Sequence, residues 1–314
     1  MSARAPNNKH ILITGGTGVI GRLITDELLN RGYQVSHLSR KSGNNPKVTT
    51  YLWDVYKGYI DEHCLEGIGT ILHLAGENIA FGRWTNKRKK EIIDSRTKSI
   101  GLIYQLIKSK PKQVNTIISA SATGYYSDSG DELLTEESPP NNDFIAQCCI
   151  EWENAVDDGR KLGLRVIKFR TGVVLSKHEG ALPQMAKPIK SGFGMPLGSG
   201  KQWIPWIHWR DVVDMYLYAI EKINLSGVYN MVAPDPVTNK QLTKALARQL
   251  HRPVWPIKVP SIVFKLLMGE MSTIVLGSTR VSAQKIEKDG FVFKYPELNG
   301  ALKDIYGNNS IKYD

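Results

Sequence analysis

Short apolar runs alternate with amphipathic stretches through the first half of the chain. The apolar runs have the length of buried strands and lie at residues 11–13, 34–38, 48–52, 70–74, 115–120 and 164–169. Between them, apolar positions recur at the spacing of one helix face over residues 20–30, 86–108 and 143–161. Because parallel strands need a helix in each crossover, this alternation predicts an α/β fold with a doubly wound parallel sheet.

The pattern changes after residue 169. A glycine-rich segment at 192–200 has no periodicity, and Trp203, Trp206 and Trp209 follow it. Helices are predicted at 211–222, 240–250 and 262–267, and a strand at 227–232. We expect residues 1–175 and 206–232 to form a core domain, and residues 176–205 and 233–314 a smaller substrate-binding lobe. The tryptophan-rich loop would either cover a substrate or only dock this lobe.

A glycine-rich turn joins the first predicted strand to the first helix. This order of elements places backbone N–H groups and the positive end of a helix dipole around one point, which suits a pyrophosphate. Glycine is required where a Cβ would block the tight turn or the approach of the phosphate. The residues predicted to hold a dinucleotide here are Gly15, Thr17, Gly18, Val19, Ile20 and Gly21. A tight turn without a ligand is the alternative.

The residues after the second strand predict which dinucleotide is bound. An acidic residue there binds the 2′-hydroxyl of NAD, whereas a cation favours the 2′-phosphate of NADP. This chain has Ser39, Arg40 and Lys41 at that place and no carboxylate. A guanidinium holds a phosphate with two hydrogen bonds, and Arg22 is a further candidate. We therefore predict NADP(H) in preference to NAD(H), the alternative being that Arg40 and Lys41 form a solvated turn.

The ends of the next two strands supply further candidate cofactor contacts. Asp54 ends the third strand, where a carboxylate could accept a hydrogen bond from the adenine amino group. Leu74, Ala75 and Gly76 follow the fourth, where small residues would let the nicotinamide-side ribose pass.

The amino-acid composition indicates the broad class of protein to which the chain belongs. The chain has 314 residues, of which 41% are hydrophobic and 23% charged, an ordinary globular balance. The first eight residues are polar, and no apolar run has the length of a signal sequence core or a membrane span. Cys64, Cys148 and Cys149 match neither a disulfide framework nor metal-ligand spacing. We expect a cytoplasmic protein without a bound metal or a membrane partner.

The net charge of +11 raises the question of nucleic-acid binding. The densest basic run, residues 86–90, is followed by apolar residues at helical spacing, which indicates the solvated start of an amphipathic helix. No zinc-finger or RNA-binding aromatic motif is present in the sequence, so no specific nucleic-acid partner is expected. The charge would instead gather an anionic cofactor or substrate. A nucleic-acid-binding protein of the same fold is a further alternative, and the oligomeric state stays open.

Several motifs together resemble the extended short-chain dehydrogenases. They are the glycine turn at 14–21 and the segments 73–76, 119–125 and 206–211. Segments 76–79, 268–272 and 290–296 are similar to a narrower branch, the NAD-dependent epimerase/dehydratase-like proteins with a small C-terminal domain of unknown function. The resemblance covers nearly the whole chain. It implies a Rossmann-type domain that binds NADP(H) and a C-terminal lobe that binds substrate.

The resemblance also implies a catalytic site, which this chain alters. In the superfamily a Ser or Thr contacts the substrate oxygen, a Tyr moves the proton, and a Lys four residues later tunes that Tyr. Ser121 matches the Ser, but Phe144 and Cys148 stand where Tyr and Lys should be. The Asp-Glu pair of the dehydratases is also missing, because Ala122 and Thr123 follow Ser121.

Other residues near this place are candidates for the missing roles. Tyr125 would donate the proton, or would be a packed aromatic; Glu77 would act on the substrate, or would cap a helix or be solvated. Arg96 on the facing helix would contact cofactor phosphate or pair with an acid. His208 is expected to be structural rather than a general base. The backbone N–H groups of 170–173, Gly172 among them, could contact the nicotinamide amide.

Two functions from different classes follow. One is an epimerase/dehydratase-like oxidoreductase that passes a hydride between NADP(H) and an unidentified small carbonyl or hydroxyl compound, with Ser121 and Tyr125 as catalytic residues. The alternative is a sensor or regulatory protein that binds NADPH without chemistry, which the loss of the Tyr and Lys favours.

Overall fold

The computed structural model describes residues 9–110 and 114–307. Its strands, in chain order, are β1 (His10–Thr14), β2 (Gln34–Ser39), β3 (Thr49–Asp54), β4 (Tyr59–Ile60), β5 (Thr70–His73), β6 (Thr116–Ala122), β7 (Leu133–Leu134), β8 (Arg165–Thr171), β9 (Val173–Leu175), β10 (Trp203–Ile204), β11 (Trp206–His208), β12 (Gly227–Met231), β13 (Val237–Thr238) and β14 (Arg280–Val281). Eight of them form one sheet in the order β12-β8-β6-β5-β1-β2-β3-β4. Neighbours are parallel except for the β3–β4 pair at the edge.

Ten α-helices accompany these strands in the described residues. They are α1 (Val19–Asn30), α2 (Asn86–Ser109), α3 (Phe144–Asp157), α4 (Ala181–Lys190), α5 (Trp209–Glu221), α6 (Asn239–Gln249), α7 (Ser261–Met268), α8 (Thr273–Leu276), α9 (Gln284–Lys288) and α10 (Leu298–Tyr306). Helices α1 and α5 pack together on one face of the sheet, and α2 and α3 pack together on the other. The fold is therefore the predicted doubly wound α/β sheet of the Rossmann type.

The order of the strands reverses beside β1. This strand pairs with β2 on one side and with β5 on the other, so the chain winds away from it in both directions. The loops after β1 and β5 consequently diverge and leave a crevice at their carboxyl ends. In open α/β sheets this crevice is where ligands bind.

A second hydrophobic core lies outside the sheet. It joins α4, α6 and α10 through buried apolar side chains, including Leu182, Leu242 and Leu302. No helix was predicted over α4, which contains Pro183 and Pro188. The helix forms because Leu182, Ala186 and Ile189 bury one face against the second core. Among the described residues, no helix is long and apolar enough to cross a bilayer.

Two buried histidines support the sheet and the second core. His73 has no exposed surface, and its ring lies within hydrogen-bond distance of Ser99 Oγ (2.8 Å) and Ser119 Oγ (3.3 Å). Burial lowers the pKa of His73 to about 3 and that of His208 to about 4. Both imidazoles are therefore neutral in the folded protein at neutral pH. Burial acts in the opposite sense on the nearby carboxyl group of Asp211, whose pKa it raises to about 6.

We expect acidification to destabilise the fold through these histidines. Each of these histidines has a pKa near 6.5 in the unfolded chain and a lower one in the folded chain. Between these two values the unfolded chain binds a proton and the folded chain does not, so the free energy of unfolding falls as the pH is lowered below 6.5. Each histidine contributes a slope of about 1.4 kcal/mol per pH unit over that window. Asp211 acts in the opposite sense, because its raised pKa lets the folded chain bind a proton below pH 6 before the unfolded chain does. This offsets part of the loss of stability.

Urea unfolding at several pH values between 7 and 4.5 measures the slope. His73→Gln should flatten it by about 1.4 kcal/mol per pH unit, whatever the variant's stability at pH 7. His63→Gln, at an exposed histidine, is the control for replacing a histidine by glutamine outside the core. An unchanged slope in His73→Gln would contradict the assignment.

Candidate cofactor and active site

A cleft of about 250 Å³ lies at the carboxyl ends of β1, β2 and β5. Residues 15–18, 38–40 and 74–77 form its walls, together with Trp53, Val55, Tyr56 and Ser95. The predicted cofactor residues Gly15, Thr17, Gly18, Ser39, Arg40, Leu74, Ala75 and Gly76 are thus brought together at one place. Val19, Ile20, Gly21, Arg22, Lys41, Asp54, Arg96 and Gly172 are not among the residues that line it.

The glycine turn is packed too tightly for side chains. Gly15 has φ of +70°, and a Cβ on Gly21 would lie 2.4 Å from the carbonyl oxygen of Gly15. A Cβ on Gly16 would lie 2.4 Å from the imidazole Nε2 of His37. Because glycine stands at these positions, α1 can lie directly against the end of β1, and the first turn of α1 faces the cleft.

The N-terminus of α1 offers uncompensated N–H groups. Its N-cap is Gly18, which has no side chain to accept from them, and the first turn contains no acidic residue. By contrast, Thr85, Asp143 and Thr238 cap α2, α3 and α6 with their side chains. An anion at the end of α1 would satisfy both the free N–H groups and the helix dipole. The site therefore fits a dinucleotide pyrophosphate.

The positive charge predicted after β2 lies at the rim of the cleft. The Arg40 side chain is 72% exposed, and its Nη1 is 3.3 Å from Glu77 Oε1. Arg22, the other predicted cation, instead donates to the carbonyl oxygen of Thr17 (2.7 Å) and pairs with Glu179. Arg40 is thus the arginine that lines the cleft, and it faces an internal carboxylate that a phosphate would replace.

A buried arginine, Arg96, supports the loop that follows β5. Arg96 donates to the carbonyl oxygens of Ile92 (2.8 Å) and Glu77 (3.0 Å), and its guanidinium lies 4.9 Å from the ring centre of Trp152. A Cβ on Gly76 would come within 3.0 Å of that guanidinium. Burial lowers the pKa of Arg96. Arg96 thus fixes the wall of the cleft from outside it.

Two other predicted contacts have internal partners. Asp54 Oδ1 accepts from the backbone N–H groups of Tyr56 and Lys57, at 3.1 Å each, and so closes the turn after β3. The N–H of Gly172 donates to the carbonyl oxygen of Met231 (3.1 Å), and the N–H of Val173 to that of Pro205 (2.6 Å). Both N–H groups thus take part in backbone hydrogen bonds, that of Gly172 with the end of β12 and that of Val173 with the residue before β11.

Sequence reasoning missed several residues of the cleft wall. Trp53, Val55 and Tyr56 line the side beyond β2, and Ser95 Oγ accepts from the N–H of Glu77 (3.0 Å). The signal for the first three was their place at the carboxyl end of β3 (Trp53) or directly after it (Val55 and Tyr56). Nothing in the spacing of Ser95 on α2 identified it.

Ser121 lies in a buried ionic network. Its Oγ donates to Glu153 Oε1 (2.8 Å), a carboxylate on α3. Arg170, the β8 neighbour of Ser121 in register, donates to both oxygens of Glu153, at 2.8 and 3.0 Å. Lys168 Nζ lies 3.4 Å from Glu153 Oε2. Because two cations hold Glu153 as an acceptor, the hydroxyl proton of Ser121 points inward, and only its lone pairs are left for a ligand.

Tyr125 is attached to the same network. The guanidinium carbon of Arg170 is 3.4 Å from the centre of its ring, and Arg170 Nη1 also donates to the hydroxyl of Tyr126 (2.9 Å). Hydrogen bonds to Glu153 outweigh burial and raise the pKa of Arg170, so it stays charged. The structure thus places a permanent positive charge against the ring of Tyr125.

The positions of the missing Tyr and Lys are closed by apolar packing. Phe144 begins α3, and its ring lies edge-on to Trp84 with centroids 4.9 Å apart. Cys148, one turn later, is buried, and burial raises the pKa of its thiol. Neither residue supplies a proton or a cation at neutral pH.

The basic run at 86–90 is only partly solvated, which corrects its sequence-based interpretation. Arg88 donates to the carbonyl oxygen of Asn78 (2.8 Å) and pairs with Glu77 and Glu91. Lys89 Nζ lies 2.5 Å from Glu270, in the 3₁₀ turn Gly269–Ser272 that follows α7. Two of the five residues therefore tie α2 to other segments.

His208 has the structural role that was expected. It is fully buried and caps α5 by accepting from the N–H of Arg210 (3.2 Å). Its ring lies 3.9 Å from that of Tyr295, and its Nε2 is 3.3 Å from Asp304. His208 thus joins the C-terminal segment to the sheet domain.

The fold is that of an α/β protein of the Rossmann type, with a cleft where the strand order reverses. The family model described as NAD dependent epimerase/dehydratase family matches residues 11–231, and one described as a domain of unknown function, DUF1731, matches residues 259–305. The chain belongs to the NAD-dependent epimerase/dehydratase family.

Individual relatives match nearly end to end. The epimerase family protein YfhF of Bacillus subtilis is 37% identical over 298 residues, covering 94% of this chain and 97% of that protein. The crystal structure of the human epimerase family protein SDR39U1 with NADPH has a TM-score of 0.83 at 31% identity, covering 95% and 99% of the two chains. A Thermus thermophilus UDP-glucose 4-epimerase complex with NAD has a TM-score of 0.73, with 96% and 100% covered, but is only 18% identical and shares the fold alone.

We expect Gly21→Ala to damage both the fold and the site. Its Cβ would meet backbone atoms that cannot move independently, so we expect a loss of about 1–3 kcal/mol and weaker dinucleotide binding. Gly101→Ala is the matched control, because its Cβ on α2 would meet open space and should stabilise the protein by up to about 1 kcal/mol. Urea unfolding and NADPH fluorescence titration measure the two effects. Equal behaviour of the two variants would refute the packing argument.

Proposed function

We propose that the protein binds NADP(H) in this cleft and transfers a hydride between it and a small carbonyl or hydroxyl compound. The observation that supports this most is the uncapped N-terminus of α1 above a glycine turn that excludes side chains. The human family member was crystallised with NADPH, which supports the same cofactor.

Each part of the cofactor would have a partner in the cleft. The first turn of α1 would hold the pyrophosphate, and Trp53, Val55 and Tyr56 would flank the adenine. Arg40 and Ser39 would hold the 2′-phosphate, with Arg40 leaving Glu77 for the ligand. An acidic residue in place of Arg40 would repel that phosphate. Selection of NADP over NAD would thus depend on Arg40.

The cofactor, when bound, would supply or accept the hydride. Side chains of the protein would transfer the accompanying proton. Ser121 would accept a hydrogen bond from a substrate hydroxyl, because its own proton is donated to Glu153. Tyr125, with Arg170 against its ring, would exchange the proton with the substrate oxygen. The network of Arg170, Glu153 and Lys168 would hold both residues in place.

A second function is supported by a specific observation. The positions of the family's Tyr and Lys are occupied by a packed phenylalanine and a buried cysteine. A protein that binds NADPH and signals its presence without turnover would need neither proton donor nor cation. Binding and turnover must therefore be tested separately.

Arg40→Asp tests the choice of cofactor. We expect NADPH affinity to fall about 10–100-fold, because a charge-assisted contact to the 2′-phosphate is lost, while NADH affinity changes little. Titrations of both cofactors by fluorescence measure this. Arg248→Asp, at an exposed arginine on α6, is the control for net charge and should change neither affinity. A similar loss for NADH and NADPH would refute the role of Arg40.

Ser121→Ala and Tyr125→Phe separate the two functions. With any compound from a panel of carbonyls and alcohols that the natural protein turns over, each variant should lose about 100-fold or more in kcat. NADPH binding should stay within about threefold of the natural protein, because neither residue lines the cleft. A natural protein that binds NADPH and turns over no compound in the panel would favour the sensor.

A further inference from the structure

One ion pair spans the cofactor cleft. Arg40 follows β2 and Glu77 follows β5, and these two strands lie on opposite sides of β1 in the sheet. Arg40 Nη1 is 3.3 Å from Glu77 Oε1, and both residues line the cleft. The pair therefore joins the two walls between which the adenosine part of a dinucleotide would lie.

The carboxylate of this pair is held in place by three other contacts. The N–H of Glu77 donates to Ser95 Oγ (3.0 Å), and its carbonyl oxygen accepts from Arg96 (3.0 Å), so its backbone is fixed against α2. Its Oε2 lies 3.3 Å from Arg88 Nη1, and Arg88 itself donates to the carbonyl oxygen of Asn78 (2.8 Å). The Glu77 and Arg88 side chains are 28% and 17% exposed. Glu77 therefore has little freedom to leave the cleft.

Arg40 is the mobile partner. Its side chain is 72% exposed, and in the described part of the chain its ion pair with Glu77 is the one it forms. An exposed ion pair of this kind is weak, because water can replace either partner and the arginine side chain has many other conformations. A phosphate group can therefore draw Arg40 away, whereas the carboxylate of Glu77 remains.

The remaining charges around the cleft lie outside its walls. Arg40 and Glu77 are the charged residues among those that line it. The other charged groups of this region pair as Arg22 with Glu179, Lys57 with Asp54, Arg88 with Glu91, Lys89 with Glu270, and Lys90 and Lys98 with Asp94. Lys41, Arg83 and Lys87 are exposed and do not line the cleft. A phosphate between the two walls would thus meet one cation and one fixed anion.

We propose that Glu77 is a specificity-determining residue, which competes with the 2′-phosphate of NADP(H) for Arg40 and so limits the preference for NADP(H) over NAD(H). NAD(H) carries no phosphate at this place and binds without breaking the ion pair. NADP(H) breaks it and then lies beside a carboxylate that Arg88 keeps in the cleft. The inference rests on the proposed function, because it concerns the cofactor assigned to this cleft.

Two cofactor fragments isolate the 2′-phosphate. Adenosine 2′,5′-bisphosphate and adenosine 5′-monophosphate differ in that group alone, and isothermal titration calorimetry measures the affinity of each. Glu77→Gln should tighten the bisphosphate about three- to tenfold, since it removes both the competitor and a like charge, and should leave the monophosphate within about twofold. Fluorescence titrations of NADPH and NADH should show the same difference. An equal change for both fragments would overturn the proposal.

A double-mutant cycle separates competition for Arg40 from simple repulsion of the phosphate. If Glu77 acts through Arg40, Glu77→Gln should change the affinity for the bisphosphate by about twofold or less in the Arg40→Gln background. A gain as large as in the natural background would show that the two residues act independently, which contradicts the proposal. Glu77→Ala is a second variant without the carboxylate and should reproduce the gain of Glu77→Gln.

Glu91→Gln is the matched control. Glu91 is also 3.3 Å from Arg88, and its side chain is 37% exposed, but it does not line the cleft. The control makes the same change in net charge and should leave the affinities for both fragments unchanged. A similar gain in Glu91→Gln and Glu77→Gln would assign the effect to net charge and refute the role of Glu77.

The outcome also distinguishes this inference from the proposed function. A natural protein that binds neither NADPH nor NADH refutes the proposed function. A natural protein that prefers NADPH, with a preference that neither Glu77→Gln nor Glu77→Ala increases, refutes the role of Glu77 alone.

Discussion

The contact between Gly21 on α1 and the carbonyl oxygen of Gly15 is the constraint on which the cofactor cleft depends. No side chain fits between them, and a Cβ on Gly21 would reach within 2.4 Å of that oxygen. The close approach aims the uncapped first turn of α1 at the crevice where the strand order reverses. Any residue that pushed helix and strand apart would move the N–H groups away from a pyrophosphate. Fold and ligand site are therefore set by the same packing contact.

A second constraint lies at the carboxyl ends of β6 and β8. Glu153 compensates the buried charge of Arg170 and also lies near Lys168, which pairs with Asp157 as well, so removing Glu153 would leave Arg170 as a buried charge without a carboxylate partner. Ser121 and Tyr125 are attached to this network, through a hydrogen bond and a ring contact. The chain has thus lost the Tyr and Lys of its superfamily on α3 but keeps buried positive charge close by, supplied from β8. This is why loss of the motif does not by itself exclude chemistry.

The C-terminal segment is attached to the dinucleotide domain by polar contacts of different strength. His208, fully buried, caps α5 and packs against the ring of Tyr295, whereas Lys89 and Glu270 meet near the surface. The first contact is costly to break, because breaking it would leave the N–H of Arg210 without its acceptor and separate two packed rings. The second costs little to break, because water can replace each partner.

Most of the sheet could be predicted because the central strands β1, β5, β6 and β8 are buried on both faces and read as apolar runs. The seven strands predicted from them all lie in the large sheet, with bounds within a few residues. The position of the glycine turn between β1 and α1 was also recognisable, since it depends on residue type at a fixed place in a βα unit, whereas the binding roles of the turn and of Arg40 stay predictions. Helix α4 was missed, because burial of one face overrode its two prolines. The basic run was misread in part, because the partners of Arg88 and Lys89 are remote in sequence or come from an irregular loop.

By itself, the sequence determined the fold class, the position of the glycine turn between β1 and α1 and the absence of the Tyr and Lys pair, since each depends on local pattern and residue identity. Tertiary structure alone decided the direction of the Ser121 hydrogen bond, the stacking of Arg170 on Tyr125 and the pairing of Lys89 with Glu270. The physical reason is the same in each case. These interactions join side chains up to 181 positions apart, and only the packing of the sheet and helices determines which charges meet.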